Sequence, residues 1–334
     1  MKHVYFLFMI LFAVSCKTEP KPIKNVSVGG ALGTTYSIIY LSNTVLDFEQ
    51  EIDSVFTAVN ASLSTYIPDS DISRINKGDT TVVADDMFQD VFELSKEVHK
   101  TTKGYFDPTV GALVNAWGFG PGKQIMLDST KVDSLLTYVG FDKVGIGPGR
   151  SVKKSDPNIY FDFNAVAKGY AIDRLGVMLH QKGIDDYLIE VGGEIVAKGE
   201  NSIKGKPWVV GVEDPQVKAG RTPKLLVQLK DRALASSGNY RKFRVDSLTG
   251  KKYVHTIDPK TGYTKNSNVL GVTIIASSCA KADAYATAFM AMDLDDSIKL
   301  LVAQNELEAY IIFLDLEGNV QEFMTDEFKK MVLN

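Results

Sequence analysis

Apolar positions alternate with polar ones from Thr34 to Leu41, which predicts a strand with one buried face. From Asp47 to Ser64 the period changes: Ile52, Val55, Phe56, Val59 and Leu63 recur at helical spacing, with Asp47 placed to cap the helix. A second helix is predicted over Asp86 to Lys103, where Phe88, Val91, Phe92, Ser95 and Val98 form one stripe and Gly104 ends it. A third runs from Ser129 to Val139 and stops at Gly140. The middle of the chain turns to strand patterns at Asn158–Phe163, Tyr187–Val191, Glu194–Ala197, Trp208–Val212 and Leu225–Leu229. Later strands are predicted at Tyr253–Ile257, Val269–Ile275, Ala309–Leu314 and Val320–Met324. Because strands and helices do not alternate regularly, the pattern predicts an α+β fold with mixed or antiparallel sheets and packed helices. There is no internal repeat. The glycine-rich stretch from Gly145 to Gly149 is the one candidate for a domain boundary.

The first residues follow a different plan. Lys2 and His3 precede an apolar stretch from Val4 to Val14, too short to span a bilayer, and small Ser15 stands before Cys16. Ala13-Val14-Ser15-Cys16 resembles a bacterial lipobox, with Ala13 where Leu is usual. That resemblance implies a signal peptide over residues 1–15, lipidation of Cys16, a polar tether over 16–25 and a domain over 26–334. The alternative is a plain signal peptide cut nearby. With Cys16 lipidated, Cys279 has no intramolecular disulfide partner, so stability must come from the core.

Composition excludes one class of partner. The 334 residues are 45% hydrophobic and carry a net charge of −4 without a run of basic residues, so nothing attracts nucleic acid.

The candidate chemistry lies in short segments. In Ala280-Lys281-Ala282-Asp283-Ala284-Tyr285-Ala286-Thr287-Ala288, Asp283 and Thr287 stand four apart, on one face of a predicted helix. A carboxylate and a hydroxyl so placed can share a hard cation or be an ordinary solvated pair. Asp162-Phe163-Asn164-Ala165-Val166-Ala167-Lys168-Gly169 marks a strand giving way to a helix. A carbonyl there can meet a cation and Lys168 a phosphate; equally, Asn164 can cap the helix while Lys168 faces solvent. Val191-Gly192-Gly193-Glu194 joins two strands, and Ser236-Ser237-Gly238-Asn239-Tyr240 reads as a second tight turn; either suits a plain hairpin or a ligand. His255, one of four histidines, ends a strand beside the turn Asp258-Pro259-Lys260-Thr261-Gly262 and is either a general base or a structural residue. Tyr66, Tyr105, Phe106, Trp117 and Phe119 lie in loop-like segments, where they can sandwich a planar ligand or simply join the core.

Taken in order, these segments resemble the FAD:protein FMN transferase (ApbE) family. The matching stretches are Gly33-Thr34-Thr35-Tyr36, Leu63-Ser64-Thr65-Tyr66 with Pro68-Asp69-Ser70 and Ser73-Arg74-Ile75-Asn76, and Phe106-Asp107-Pro108-Thr109 with Trp117-Gly118-Phe119-Gly120. Asp162 through Asp173, Gly192-Gly193, Ser237-Gly238, His255 through Gly262 and Ala282 through Thr287 complete the set, which covers nearly all of the chain after the leader.

The resemblance implies an ApbE-like, T-fold-related α+β architecture and an enzyme that cleaves FAD. It attaches the FMN half to a threonine of an acceptor flavoprotein, releases AMP and depends on Mg²⁺. It further implies Asp283, Thr287 and the Ala165 carbonyl as metal ligands, and His255 as the base that deprotonates the threonine. FAD contacts fall on Leu32, Tyr66, Tyr105, Phe106, Asp107, Asp162, Lys168, Ser237, Gly238 and Ile257. Leu32 replaces the family's usual Met, and Ala286 stands where some relatives have a second acid. The implied setting is the bacterial cell envelope, lipid-anchored and facing the periplasm. Two alternatives share the residues: a Mg²⁺-dependent FAD pyrophosphatase yielding FMN and AMP, and a non-catalytic flavin-binding lipoprotein.

Overall fold

The computed structural model describes residues 21–215, 217, 222–239, 243–245, 252–265 and 267–333, with backbone alone at 243–245, 252 and 253. The leader residues 1–15 and Cys16 lie outside this set. The chain opens with the hairpin β1 (Ile23–Ala31) and β2 (Thr34–Ser42). Five helices follow: α1 (Glu49–Leu63), α2 (Asp71–Asn76), α3 (Asp86–Thr101), α4 (Gly111–Trp117) and α5 (Ser129–Leu136). A small hairpin, β3 (Val144–Ile146) and β4 (Val152–Lys154), precedes α6 (Ala167–Gln181). Then come β5 (Tyr187–Val191), β6 (Glu194–Lys198), β7 (Trp208–Glu213), β8 (Pro223–Leu229), β9 (Arg232–Gly238), β10 (Phe243–Val245) and β11 (Lys252–Val254). The last part holds β12 (Val269–Ala276), α7 (Cys279–Ala291), α8 (Leu294–Ala303), β13 (Glu308–Leu314), β14 (Val320–Met324) and α9 (Asp326–Met331).

Eight strands form one sheet in the order β1-β2-β5-β6-β9-β12-β13-β14, and every neighbouring pair is antiparallel. The fold is therefore α+β, as the lack of strand–helix alternation predicts. Alternating side chains divide between two cores. Ile38, Ile189, Ala235, Ile274 and Ile311 face the larger one, with Phe56 of α1, Phe88 of α3, Leu175 of α6 and Phe289 of α7. Leu41, Ile195, Leu234, Ile275 and Tyr310 face the opposite side, covered by Trp208, Val227 and Phe328 of the β7–β8 ribbon and α9.

Local chemistry explains where elements begin and end. Asp85 accepts from the Phe88 amide and caps α3, whose chain leaves through Gly104 at φ 87°, the left-handed exit that glycine permits. Ser278 caps α7 in the same way. Helix α7 is unusual in being buried almost all round, and its alanines allow that.

Several expectations are corrected. Asp47 does not cap α1; its carboxylate accepts from Glu49 two residues on, and Phe48 occupies the cap position. Residues 158–163 are no strand, because Asp162 turns its amide to the Pro108 carbonyl at 2.7 Å and only a Val110–Tyr160 bridge forms. The third helix ends at Leu136, three residues early, and the strand before His255 ends at Val254. Ser236-Ser237-Gly238 is not a turn but the end of β9, paired with Thr273, Val272 and Gly271; its run of small residues hid the strand period. Gly145–Gly149 sits within a hairpin whose Val144, Ile146 and Val152 pack on the larger core, so no domain boundary falls there. The polar tether read over 16–25 also extends too far, since Ile23, Lys24 and Asn25 already pair with β2.

Candidate active site

The site is assembled around the crossing of α6 and α7. A side chain on Gly169 would collide with the Cys279 carbonyl, so glycine is what lets the two helices meet this closely. At that crossing the Gly169 amide donates to Asp283 at 3.2 Å. One turn further, both carboxylate oxygens of Asp173 accept from the Cys279 and Ala280 amides at 2.8 Å each, fixing the start of α7 against α6. Thr287, one turn beyond Asp283 on the same face, is partly exposed within an otherwise buried stretch.

Charge is concentrated here out of water. Asp283 is 8% exposed and Glu194 3%, and Lys168 binds Glu194 at 2.7 Å. Burial, with the Glu194 charge added, pushes the Asp283 carboxyl up to about 8. Burial works against the Lys168 charge, but Glu194 and then Asp283 more than offset it and hold the ammonium above its usual range. Two buried carboxylates thus face one lysine, and a cation placed beside Asp283 would favour its ionised form. No group of three or more His, Cys, Asp or Glu side chains able to hold a metal occurs among the described residues. The ligands expected from the sequence, the Asp283 carboxylate, the Thr287 hydroxyl and the Ala165 carbonyl, would be hard oxygens of the kind Mg²⁺ takes together with water.

Two further clusters are tied to segments that adjoin this centre, the 162–166 turn before α6 and the end of β9. The first is the loop after α1. Asn164 donates to Thr65 at 3.4 Å, and the Tyr66 hydroxyl reaches the Phe119 carbonyl at 3.5 Å, so Tyr66 stands beside the 162–166 turn with 58% of its surface exposed. Burial raises the Asp162 carboxyl here, and its oxygen accepts from the Asn164 amide at 2.8 Å. Asn164 thus donates its backbone N–H to Asp162 and its side-chain amide to Thr65, and it does not cap α6, whose cap position is Val166. Ala165 lies in this turn, half-buried against the core.

The second cluster surrounds the 255–262 segment. His255 is partly buried directly after β11, and Thr256 donates to Asn239 at 2.9 Å, tying the segment to the end of β9 that carries Ser237 and Gly238. Ile257 is buried with Leu113, Trp117 and Val132, and the Trp117 indole donates to the Gly262 carbonyl at 2.9 Å. Lys260 lies 3.9 Å from the centroid of the Tyr105 ring, a cation–π contact that joins both loops.

The remaining predicted residues fall into structural or mixed settings. Phe106 is a core side chain at 4% exposure. Both oxygens of Asp107 are committed inside the protein. One accepts from the Thr109 amide and hydroxyl at 2.8 and 2.6 Å and the other from Phe141 at 3.0 Å, while burial raises the carboxyl. Leu32 occupies the β1–β2 turn at φ 52°, half-buried on the larger core. Sequence reasoning passed over Glu194 and Asp173 as members of the site. The available signal was a carboxylate entering a strand directly after a double-glycine hairpin, and an acid one helical turn beyond Gly169.

The model of the ApbE family matches residues 32–311, and the chain belongs to that family. In curated sequences it is similar to the FAD:protein FMN transferase of Haemophilus influenzae, 33% identical over 97% of this chain and 95% of that protein. It is also similar to the protein of the same name from Escherichia coli K12, 30% identical over 99% and 97%. Among solved structures it resembles the flavin transferase ApbE from Vibrio cholerae, with TM-score 0.81 and 31% identity over 93% of this chain and 99% of that one. The apo flavinyl transferase ApbE of Pseudomonas stutzeri gives TM-score 0.81 and 27% identity.

Proposed function

We propose that this chain is an FAD:protein FMN transferase that cleaves FAD, attaches FMN through a phosphoester to a threonine of an acceptor flavoprotein, releases AMP and depends on Mg²⁺. The observation that carries this reading is the convergence of Asp283, Glu194 and Lys168 at the α6–α7 crossing, joined by bonded segments to exposed Tyr66 and to the His255 loop.

Asp283, Thr287 and the Ala165 carbonyl would hold the cation, which when bound supplies positive charge to the pyrophosphate oxygens. Lys168 meets the same phosphates and is oriented by Glu194. Tyr66 offers an exposed aromatic face to a planar ring, and Leu32, Tyr105, Asp162, Ser237, Gly238 and the Ile257 backbone border the remaining FAD contacts. Phe106 and Asp107 support the site from within the core. His255 accepts the proton of the incoming threonine hydroxyl, which then attacks the FMN phosphorus as AMP leaves. No covalent enzyme intermediate is required.

The functional unit begins with β1 at Ile23 and takes in the rest of the chain. We place it at the bacterial cell envelope, held by lipid on Cys16 after removal of residues 1–15 and facing the periplasm. The lipobox-like Ala13-Val14-Ser15-Cys16 supports this. No helix among the described residues is long and apolar enough to cross a membrane.

The test is AMP release from FAD by the purified domain, with Mg²⁺ or EDTA and with or without a threonine-bearing exported flavoprotein, followed by flavin fluorescence on a denaturing gel. Mg²⁺-dependent AMP with a fluorescent acceptor band supports transfer. Equal AMP release without acceptor identifies a pyrophosphatase instead, and none under any condition leaves a flavin-binding protein.

A further inference from the structure

The two edges of the large sheet differ in character. Edge strand β14 is five residues long and carries Gln321 and Glu322. Edge strand β1 is nine residues long, has Lys24 as its one charged residue and exposes Val26 at 51% and Val28 at 68%. An edge of that length with no proline, no bulge and little charge is a template for another strand.

The turn fixes which groups point outward. Leu32 and Gly33 both have positive φ, 52° and 73°, forming a two-residue hairpin loop that makes Ala31 and Thr34 a hydrogen-bonded pair. Alternation then turns Gly29, Ser27 and Asn25 toward β2, and leaves the N–H and C=O of Gly30, Val28, Val26 and Lys24 facing away. Bonds on the far side of β2 set the same phase. The Thr35 carbonyl accepts from Gly192 at 3.0 Å and the Leu41 amide donates to Asp186 at 2.9 Å, so these partners of Gly30 and Lys24 face β5.

We propose that this outer ladder of β1 docks an extended, threonine-bearing segment of the acceptor protein, which adds to the sheet as a further strand. The proposal rests on the transferase reading. Continuity with the site selects this occupant: β1 runs into the Leu32–Gly33 turn, next to which a side chain on Gly192 would strike Thr34 at 2.8 Å. Two residues after Gly192, β6 begins with Glu194, the partner of Lys168. From a strand added outside β1 to β6 is four strand spacings, roughly 19 Å, which about six extended residues span. A threonine that far beyond the docked stretch reaches the reacting phosphate. Main-chain pairing gives affinity, and alternate apolar side chains of the segment lie against Val26 and Val28.

Proline at Val28 or Val26 removes an outward N–H without removing a β1–β2 bond. The probe is a threonine-bearing exported flavoprotein domain that the wild-type chain labels. Val28→Pro should keep FAD binding, read by flavin fluorescence, and thermal stability, while the acceptor KM rises about tenfold or more. Val28→Lys keeps the N–H and should stay within about threefold of wild type. Acceptor should also slow hydrogen exchange at Lys24, Val26, Val28 and Gly30 while leaving the intervening amides unchanged. Unchanged acceptor kcat/KM in both proline variants overturns the proposal. So does a switch from dimer to monomer on sedimentation with transfer intact, which assigns the edge to a second copy. Protection of those four amides in the free chain that vanishes when residues 1–22 are deleted assigns the edge to this chain's own N-terminus. A wild-type chain that labels no acceptor fails the transferase reading itself, before any variant is made.

Discussion

The backbone amide of Gly169 donates to the carboxylate of Asp283 at 3.2 Å, so the residue expected to bind the cation is held by the start of a different helix. Position and charge at the site therefore depend on how closely α6 and α7 approach.

Gly169→Ala should test that dependence directly. The added methyl meets the Cys279 carbonyl, a backbone atom that cannot swing aside, so the helices must separate. Overpacking of this kind costs about 1–3 kcal/mol. The expected result is that loss in a denaturant titration, with Mg²⁺ affinity weakened in calorimetry; wild-type values for both would show that the crossing tolerates the methyl.

Asp283 makes stability depend on pH. Its folded value, about 8, lies above the 3.8 of an ordinary aspartate, so between these limits the folded state holds a proton that the unfolded state has lost. Stability in EDTA is thus greatest below that window and declines as pH rises through it. A cation favours the ionised form, so Mg²⁺ should restore melting temperature most at the alkaline end. Asp283→Asn should flatten the EDTA profile, abolish the Mg²⁺ effect and eliminate metal-dependent turnover. A metal-responsive melting curve in that variant would sink the ligand assignment.

Lys168→Met leaves Glu194 buried without its ammonium partner. Removal of one member of a buried pair is strongly destabilising, but Lys168 is 30% exposed, so a loss of about 2–3 kcal/mol is expected. Adding Glu194→Gln should recover most of the stability and none of the FAD turnover. Recovery of turnover would place the lysine in a purely structural role.

His255→Ala should bind FAD normally and lose transfer by about 10²–10⁴-fold, the usual contribution of a positioned base. Flavin fluorescence titration and the acceptor gel measure the two quantities separately. Persistent transfer at the wild-type rate assigns the proton to another acceptor.

Much of this architecture was legible from local signals. The α3 stripe with Gly104 at its exit, the strands Tyr187–Val191 and Val320–Met324, and the double-glycine hairpin all depend on residues close in sequence. Elements whose reasons are distant were not. Ser237 looks like a turn residue until Val272 pairs with it, and residues 158–163 have strand composition but give the Asp162 amide to Pro108. The spacing of Asp283 and Thr287 placed both on one face of a helix, as α7 has them, whereas Glu194 gave no local signal, since only folding brings it to Lys168. Asp107 misled in the opposite sense: a polar residue in a matching segment proved to be a knot for its own loop.

The order of strands in the large sheet has a consequence for the chain before it is finished. Leu32 comes from the first hairpin, Lys168 and Glu194 from the middle, and Asp283 from a helix that follows the sixth strand in spatial order. Asp283 and Thr287 thus belong to a part of the polypeptide made long after Lys168 and Glu194. A nascent or truncated chain lacking α7 contains Tyr66, Lys168 and its partner Glu194, but neither Asp283 nor Thr287. On the proposed ligand assignment turnover therefore waits for α7, and an unfinished copy should leave FAD intact.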